Sequence, residues 1–351
     1  MSNQIDITHE NDRDLSEREQ AVLRTIINLY ILNATPIGSR NLSKYLENDL
    51  KLSPATLRNV MSDLEELSYI SHPHTSAGRV PTDKGYRFYV DTISPHELTP
   101  KLPIEQLAGE LNHTAGDNFL KDAGKLLGVI SHYLAIVRIP QIQDLIVRKI
   151  ELICLSSTKL LVVVALDSDI VRTVTLEIPY NISENAIFAV SHFVNEKVAG
   201  KSLSFIRNNF REMVKTASGE LPPLIGLFVD SIDELFRTET GNDKLHLAGT
   251  QNLLNFPEFS DVSKIRSMFD LLGNEEVLIS MLGRGIQPGK DNFTVYIGSE
   301  MQNEALEDYS LVVSNYTFGS AGGTIGLIGP RRMDYSRVIS LVRSMSEIIS
   351  G

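Results

Sequence analysis

A chain of 351 residues that is 42% hydrophobic and 22% charged has room for two or three domains and an ordinary soluble composition. Its longest apolar run, LLVVVAL at 160–166, is far too short to span a bilayer, and no charged–apolar–small signal pattern opens the sequence. The expectation is a cytoplasmic protein with no membrane partner.

The single cysteine, Cys154, excludes an internal disulfide framework and a cysteine-rich zinc site. Its setting, ELICLSS, reads as a strand interior, so a buried, inert thiol is expected. The net charge of −11 argues against a protein coated in nucleic acid. Residues 13–90, however, carry ten Lys/Arg against nine Asp/Glu, a net of +1, which leaves −12 on the rest. A near-neutral module on an acidic body can bind DNA if its cations share a face.

Residues 16–33 open with Ser16 and Glu19, the spacing in which each side chain caps the other's backbone donor. Val22, Leu23, Ile26, Ile27, Leu29 and Tyr30 follow at helical intervals. Pro36 and Gly38 end this element, and Ser39 reads as the N-cap of a short second helix carrying Leu42, Tyr45 and Leu46. A polar break, ENDLK, precedes SPATLRNVMSDLEEL at 53–67, where Ser53 is an N-cap and Pro54 takes the first helical position. Leu57, Val60, Met61, Leu64 and Leu67 fall within an arc of about 120°, while Ala55, Asn59, Ser62 and Glu66 lie opposite and Arg58 on the flank. Three helices in some fifty residues, the last two separated by a short turn region, have the helix-turn-helix layout.

Tyr69–His72 can extend, Ser76–Gly78 can turn, and Arg79–Pro81 can return, which predicts a small hairpin or wing. Thr82 then caps a helix or extended arm rich in aromatics (Tyr86, Phe88, Tyr89). SPHELTPKLPIE at 94–105 reads as a linker. Beyond it the pattern is helical over Leu120–Leu134, then β-type in RKIELICL, KLLVVVAL and IVRTVTLEI, close enough for an antiparallel meander. Helical spacing returns at 183–237 and at 260–272. NFTVYIG, YSLVVSNY and TIGLIG give three more strands, and a helix over 335–349 closes the chain. Strands, helices and strands again predict an α+β sheet domain interrupted by a mainly helical insert.

A helix entering the major groove must bring its backbone near base edges, and small side chains such as Ala55 and Ser62 permit that approach. Asn59 can pair bidentately with adenine, and Arg58 with guanine or a phosphate. The helix N-terminus around Ser53 and Thr56 suits a phosphate, while Glu65 and Glu66, at the far end, can point away from DNA. Arg40 and Lys44 on the second helix are phosphate candidates. Arg79 can reach a minor groove or the backbone, or stand as a solvated hairpin charge. His72 and His74 lack the partners a metal site would need.

The stretches LSEREQAVLRTIINLYI, TPIGSRNLS, LSPATLRNVMSDLEELSYISHPHTSAGRVPTDKGYRFYVD, GTQNLLNFPEF and GTIGLIGPRRMDYSRVI resemble the heat-inducible transcription repressor family HrcA, over essentially all of the chain after residue 14. Small departures are Val60 where an acidic residue is common, Ser68 where glycine is common, and Arg331 where threonine is common. The resemblance implies a winged helix-turn-helix domain at 1–93, a linker at 94–105, a GAF-like antiparallel-sheet domain at 106–180 and 255–351, and an inserted dimerisation domain at 181–254. It further implies repression of chaperone operons by binding a palindromic CIRCE operator as a homodimer, with activity promoted by the chaperonin GroEL and lost on heat stress. Independently of the resemblance, a two-fold operator requires a two-fold protein, since one recognition helix reads one half-site.

Enzyme readings find little support. GSAGGTIGLIGP at 319–330 lacks the G-K-[ST] ending of a phosphate loop, and a tight turn joining two strands explains Gly319–Gly323 better. GRGIQPG at 283–289 reads as a loop. No H-E-x-x-H or G-x-S-x-G is present, so no catalytic residue, cofactor or metal is expected. Three other readings stay open: a small-molecule-responsive regulator sensing through the GAF-like domain, an enzyme with an accessory winged helix, and an interaction module that never meets DNA.

Overall fold

The computed structural model describes residues 13–46, 52–73, 78–98, 109, 111, 117–139, 144–167, 170–178, 183–215, 223–235, 245–259, 261–283 and 292–351. The ENDLK break apart, the wing's turn at 76–77, His74, most of the expected linker and nearly all of the 283–289 loop also lie outside these residues.

α1 (Glu17–Asn33) starts on the expected capping box: the Ser16 backbone N–H donates to Glu19 Oε2 at 2.8 Å, and Glu19 N–H donates to Ser16 Oγ at 3.4 Å. α1 buries Val22, Leu23, Ile26 and Ile27. α2 (Ser39–Tyr45) departs from expectation by one residue, because its N-cap is Gly38 rather than Ser39. The cause is a β-bridge in which Ile37 N–H donates to Arg79 O at 2.8 Å and Arg79 N–H to Ile37 O at 2.9 Å, which holds the chain extended through Gly38. α3 (Pro54–Glu66) is capped as predicted, Ser53 Oγ accepting from Thr56 N–H at 3.1 Å. Its inner face, Leu57, Val60, Met61 and Leu64, is buried against the other helices. At roughly 1.5–3 kcal/mol for each fully buried aliphatic side chain, that face fixes which side of α3 looks outward.

β1 (Ile70–Ser71) and β2 (Val80–Pro81) pair antiparallel as the wing, Ile70 opposite Pro81. Thr82 Oγ1 accepts from Gly85 N–H at 3.2 Å and starts α4 (Asp83–Asp91), so the aromatic segment is a helix rather than an extended arm.

The rest of the described chain forms two sheets. A five-stranded antiparallel sheet has the order β7 (Leu245–Ala248), β3 (Leu134–Arg138), β10 (Ala321–Pro330), β9 (Tyr309–Phe318), β8 (Phe293–Ile297). α5 (Asp117–Ser131) and α13 (Tyr335–Ser350) lie on one face, over Val137, Val312, Ile325 and Leu327. The short α10 (Thr250–Leu253) follows β7, and α11 (Val262–Leu272) and α12 (Glu275–Gly283) cover the other face, over Leu134, Ile136, Leu311 and Val313. The second sheet is the expected meander of β4 (Val147–Ser156), β5 (Lys159–Leu166) and β6 (Val171–Glu177). α6 (Glu184–Val198) packs on β4, and α7 (Leu203–Lys215), α8 (Pro223–Asp230) and α9 (Ile232–Leu235) follow it. Asn195 stitches α6 to that sheet, accepting from Ile150 N–H and donating to Ile150 O, both at 2.7 Å.

Among the described residues the strands of 147–177 pair only with one another and carry α6, so none of them joins the five-stranded sheet. β3 and β7 take their place in the five-stranded sheet. The helix read as running to Leu134 stops at Ser131, and His132 at φ 61° turns the chain into β3. Apolar spacing alone does not separate those two elements. The glycine-rich segment turns only at Gly319–Ser320, with φ 63° at Gly319; the glycines after it lie within β10. Gly323 lies under the Tyr316 ring, where an added Cβ would come within 2.2 Å of Cζ. Cys154 is exposed, not buried. β4 is an edge strand whose last residues run past the cover that hides Val147 and Ile150, so an apolar run ends in solvent.

Candidate nucleic-acid interface

The outward face of α3 is built by its own caps and its buried stripe. With Leu57, Met61 and Leu64 held inside, Ser53, Ala55, Arg58, Asn59 and Ser62 are exposed and Thr56 is half-buried. Around the start of the helix most donors are used: Pro54 has none, Thr56 N–H serves Ser53 Oγ, and Leu57 N–H donates to Ser53 O at 3.0 Å. Among the described residues this leaves the Ala55 N–H, at the positive end of the helix, for an outside acceptor.

Arg40 and Lys44 are exposed on α2, and with Arg58 they form no ion pair or hydrogen bond with any described residue. Their charge is therefore available to a polyanion. Tyr45, which the sequence places with Leu42 and Leu46 on the second helix, is 61% exposed. It follows Lys44 on the same short helix, and its hydroxyl adds a donor to this surface. The seven-residue α2 buries Leu42, and Leu46 after it is buried too, so no inward place is left for a third large side chain.

Arg79 is placed differently from the groove-reaching cation the sequence suggested. Its Nε–H donates to Glu65 Oε2 at 2.8 Å, and a terminal N–H donates to His72 Nε2 at 2.5 Å. His72 Nδ1 completes the cluster on Glu65 Oε1 at 2.8 Å. Since guanidinium only donates, Nε2 must accept, which puts the imidazole proton on Nδ1, facing Glu65. Burial pushes the Glu65 carboxyl upward, but His72 and Arg79 outweigh it and hold it below its ordinary 4.5. Glu65 thus turns toward the wing and ties it to the end of α3. No sequence signal marks this pairing, because the three residues meet only when the hairpin folds back.

An exposed second helix of a helix-turn-helix, exposed cations beside it and a wing braced to its far end define a winged-helix DNA-binding protein. Comparison with known proteins narrows the class. Residues 14–92 match the family model "Winged helix-turn-helix transcription repressor, HrcA DNA-binding", and residues 117–339 match "HrcA protein C terminal domain". The chain is 36% identical to the heat-inducible transcription repressor HrcA of Chlorobium phaeobacteroides strain BS1, over 96% of this chain and 98% of that protein. It is 35% identical to the protein of the same name from Thermoanaerobacter pseudethanolicus, over 96% of each. A crystal structure described as a hypothetical protein shares the fold, with a TM-score of 0.60 at 23% identity over 96% of this chain and 99% of that one.

The chain belongs to the HrcA family of heat-inducible transcription repressors. The family is one of repressors, not of enzymes. No described helix is long and apolar enough to cross a membrane.

Proposed function

We propose that this protein represses chaperone operons in the cytoplasm by binding the CIRCE inverted repeat as a homodimer, that GroEL keeps it active, and that heat stress releases it. The observation that carries the reading is the exposed small-residue face of α3. In this reading Ala55 and Ser62 admit the helix to the major groove, Asn59 pairs with adenine, and Arg58 takes guanine or a phosphate. Ser53, Thr56, Arg40 and Lys44 face phosphates. Arg79 acts through the wing's geometry rather than as a free cation.

The homodimer reading is supported by apolar surface on the three-stranded sheet and the helix packed on it. Ile153, Leu155 and Val171 of the three-stranded sheet and Phe188 of α6 stand exposed. β5 is apolar on both faces, the pattern of a strand with cover on each side.

Purified protein should bind a CIRCE duplex with an affinity that falls steeply with salt, since each phosphate contact releases counterions. An affinity unchanged between 50 and 200 mM salt, values that span about a fourfold range, would instead support an interaction module that never meets DNA.

One observation favours a second reading, a regulator that senses a small molecule through the GAF-like domain. An open cleft of about 240 Å³ lies between α12 and the turn at Met301, lined by Asn274, Glu276, Ser280, Met281 and Asn303 among others. If a metabolite acts there, a low-molecular-weight cell extract changes operator affinity at constant temperature; if none does, it leaves the affinity alone.

A further inference from the structure

The winged helix is not hung on a loose tether; α4 is keyed into the five-stranded body. Asp83, at the first position of α4, accepts from Ser299 N–H at 3.0 Å and Ser299 Oγ at 2.9 Å through Oδ2, and from Arg331 at 3.0 Å through Oδ1. Ser299 sits in the short turn Gly298–Met301 that follows β8. One turn along α4, Arg87 grips Glu300 with two N–H donors of its guanidinium fork, Nε–Oε1 being 2.7 Å, and also donates to Val295 O at 2.7 Å. Glu300 is itself fixed, accepting from Ile297 N–H at 2.9 Å.

The fit is close. Gly298 has φ 48°, and a Cβ there would lie 2.5 Å from Asp83 Oδ2, so glycine is needed for the carboxylate to enter. On the same helix, Tyr86 and Tyr89 pack with tilted rings against the buried Tyr335 of α13, ring centroids 6.0 and 6.4 Å apart. On the α1 side, Arg332 donates to Ile31 O at 3.2 Å.

Apolar contacts between tyrosines tolerate some sliding. A forked guanidinium on a fixed carboxylate does not, because its two bonds set both distance and orientation. We infer that Asp83 and Arg87, gripping Ser299, Glu300 and Arg331, are positioning residues for operator recognition: they lock the orientation of each recognition helix on the body, and so set which half-site separation the dimer accepts. The inference rests on the two-fold repressor reading above.

The test uses the full-length chain and three duplexes: the CIRCE inverted repeat, the same repeat with base pairs inserted between its arms, and a repeat with one arm scrambled. Asp83→Asn with Arg87→Gln removes both ion pairs without changing the net charge. The wild type should bind the native spacing far more tightly than the lengthened one. The double variant should bind the one-armed duplex as the wild type does, lose at least ~10-fold on the native spacing, and discriminate between spacings ~10-fold less, because a loosened domain lowers the effective concentration at the second arm while tolerating a wider span. Arg87→Glu should be rescued on the native spacing by Glu300→Arg. Unchanged spacing discrimination in the double variant overturns the inference alone. A wild type that binds one arm as well as two, or both spacings equally, overturns the two-fold reading and the inference with it. If the double variant does not fold, the isosteric Asp83→Asn alone carries the same outcomes.

Discussion

Replacing Glu65 by Gln separates two roles that Arg79 can play. The carboxylate takes Arg79 and His72 together, both from the donor side, at 2.8 Å each. An amide presents one oxygen and one NH2, so one of the two donors would face another donor and the cluster must open. A charge-assisted hydrogen bond contributes about 1.5–3 kcal/mol when sheltered. Here the Glu65 side chain is 31% exposed and that of His72 50% exposed. Solvent screening therefore brings the expected loss of folding stability down to about 1 kcal/mol, read as a melting-temperature drop on the order of 2 °C.

DNA binding should move the other way. An Arg79 released from Glu65 is one more cation for a phosphate, and one contact steepens the log–log salt slope by about 0.9. Between roughly 200 and 50 mM salt that makes the gain on random-sequence duplex about threefold larger at the low end. Fluorescence anisotropy with random and operator duplexes across a salt series measures it. An unchanged slope with lower affinity would show that Arg79 already contacts DNA through the wing, and that the brace to Glu65 is not what restrains it.

Other expectations follow from single backbone and charge features. Ser68 holds φ 63°, a conformation that costs an L-residue about 1–2 kcal/mol and glycine almost nothing. Allowing for glycine's freer unfolded chain, Ser68→Gly should stabilise the protein by about 0.5–1 kcal/mol in urea denaturation, and a loss would contradict the strain. At Asp83, burial raises the carboxyl, but Ser299 N–H and Arg331 outweigh it and leave it below its ordinary 3.8. A depressed acid contributes stability above its unfolded value and loses it as pH falls through the folded one. Titration of α4 docking should therefore be flat through neutral pH and show a loss below 3.8 that Asp83→Asn abolishes. The Glu65 carboxyl is held below its ordinary value by His72 and Arg79, so its cluster should likewise be unaffected through neutral pH and lose its contribution only in acid.

The winged helix was legible because its signals are local. Ser16 with Glu19, Ser53 with Pro54, and Thr82 each set a helix start within four residues, and the stripe from Leu57 to Leu64 set the inner face of α3. What escaped depended on contacts far apart in sequence. Ile37 finds Arg79 across the wing and moves the start of α2, which periodicity cannot show. β3 and β7 are five and four residues long and become strands because they complete the sheet beside β10. The exposure of Cys154 follows from where cover on β4 ends, not from the apolar letters around it. Ser299 and Glu300 lie more than two hundred residues from the α4 residues they hold. At the candidate interface the exposed residues of α3 fell where the helical wheel put them, whereas Tyr45 is displaced outward by Leu42 and Leu46, and Arg79 of the wing is held by Glu65 and His72, which meet it only when the hairpin folds back.

The central claim is that the outer face of α3 reads base edges, and a base-by-base operator scan with Asn59→Ala and Arg58→Ala tests it most directly. Each base pair of the inverted repeat is substituted in turn and the affinity of wild type and variant is compared. If the claim holds, each variant loses about 1–3 kcal/mol on the native repeat and becomes indifferent to substitution at one symmetric pair of positions, with preferences elsewhere intact. A loss spread evenly over every sequence, random duplex included, would reduce both residues to backbone contacts and contradict the account.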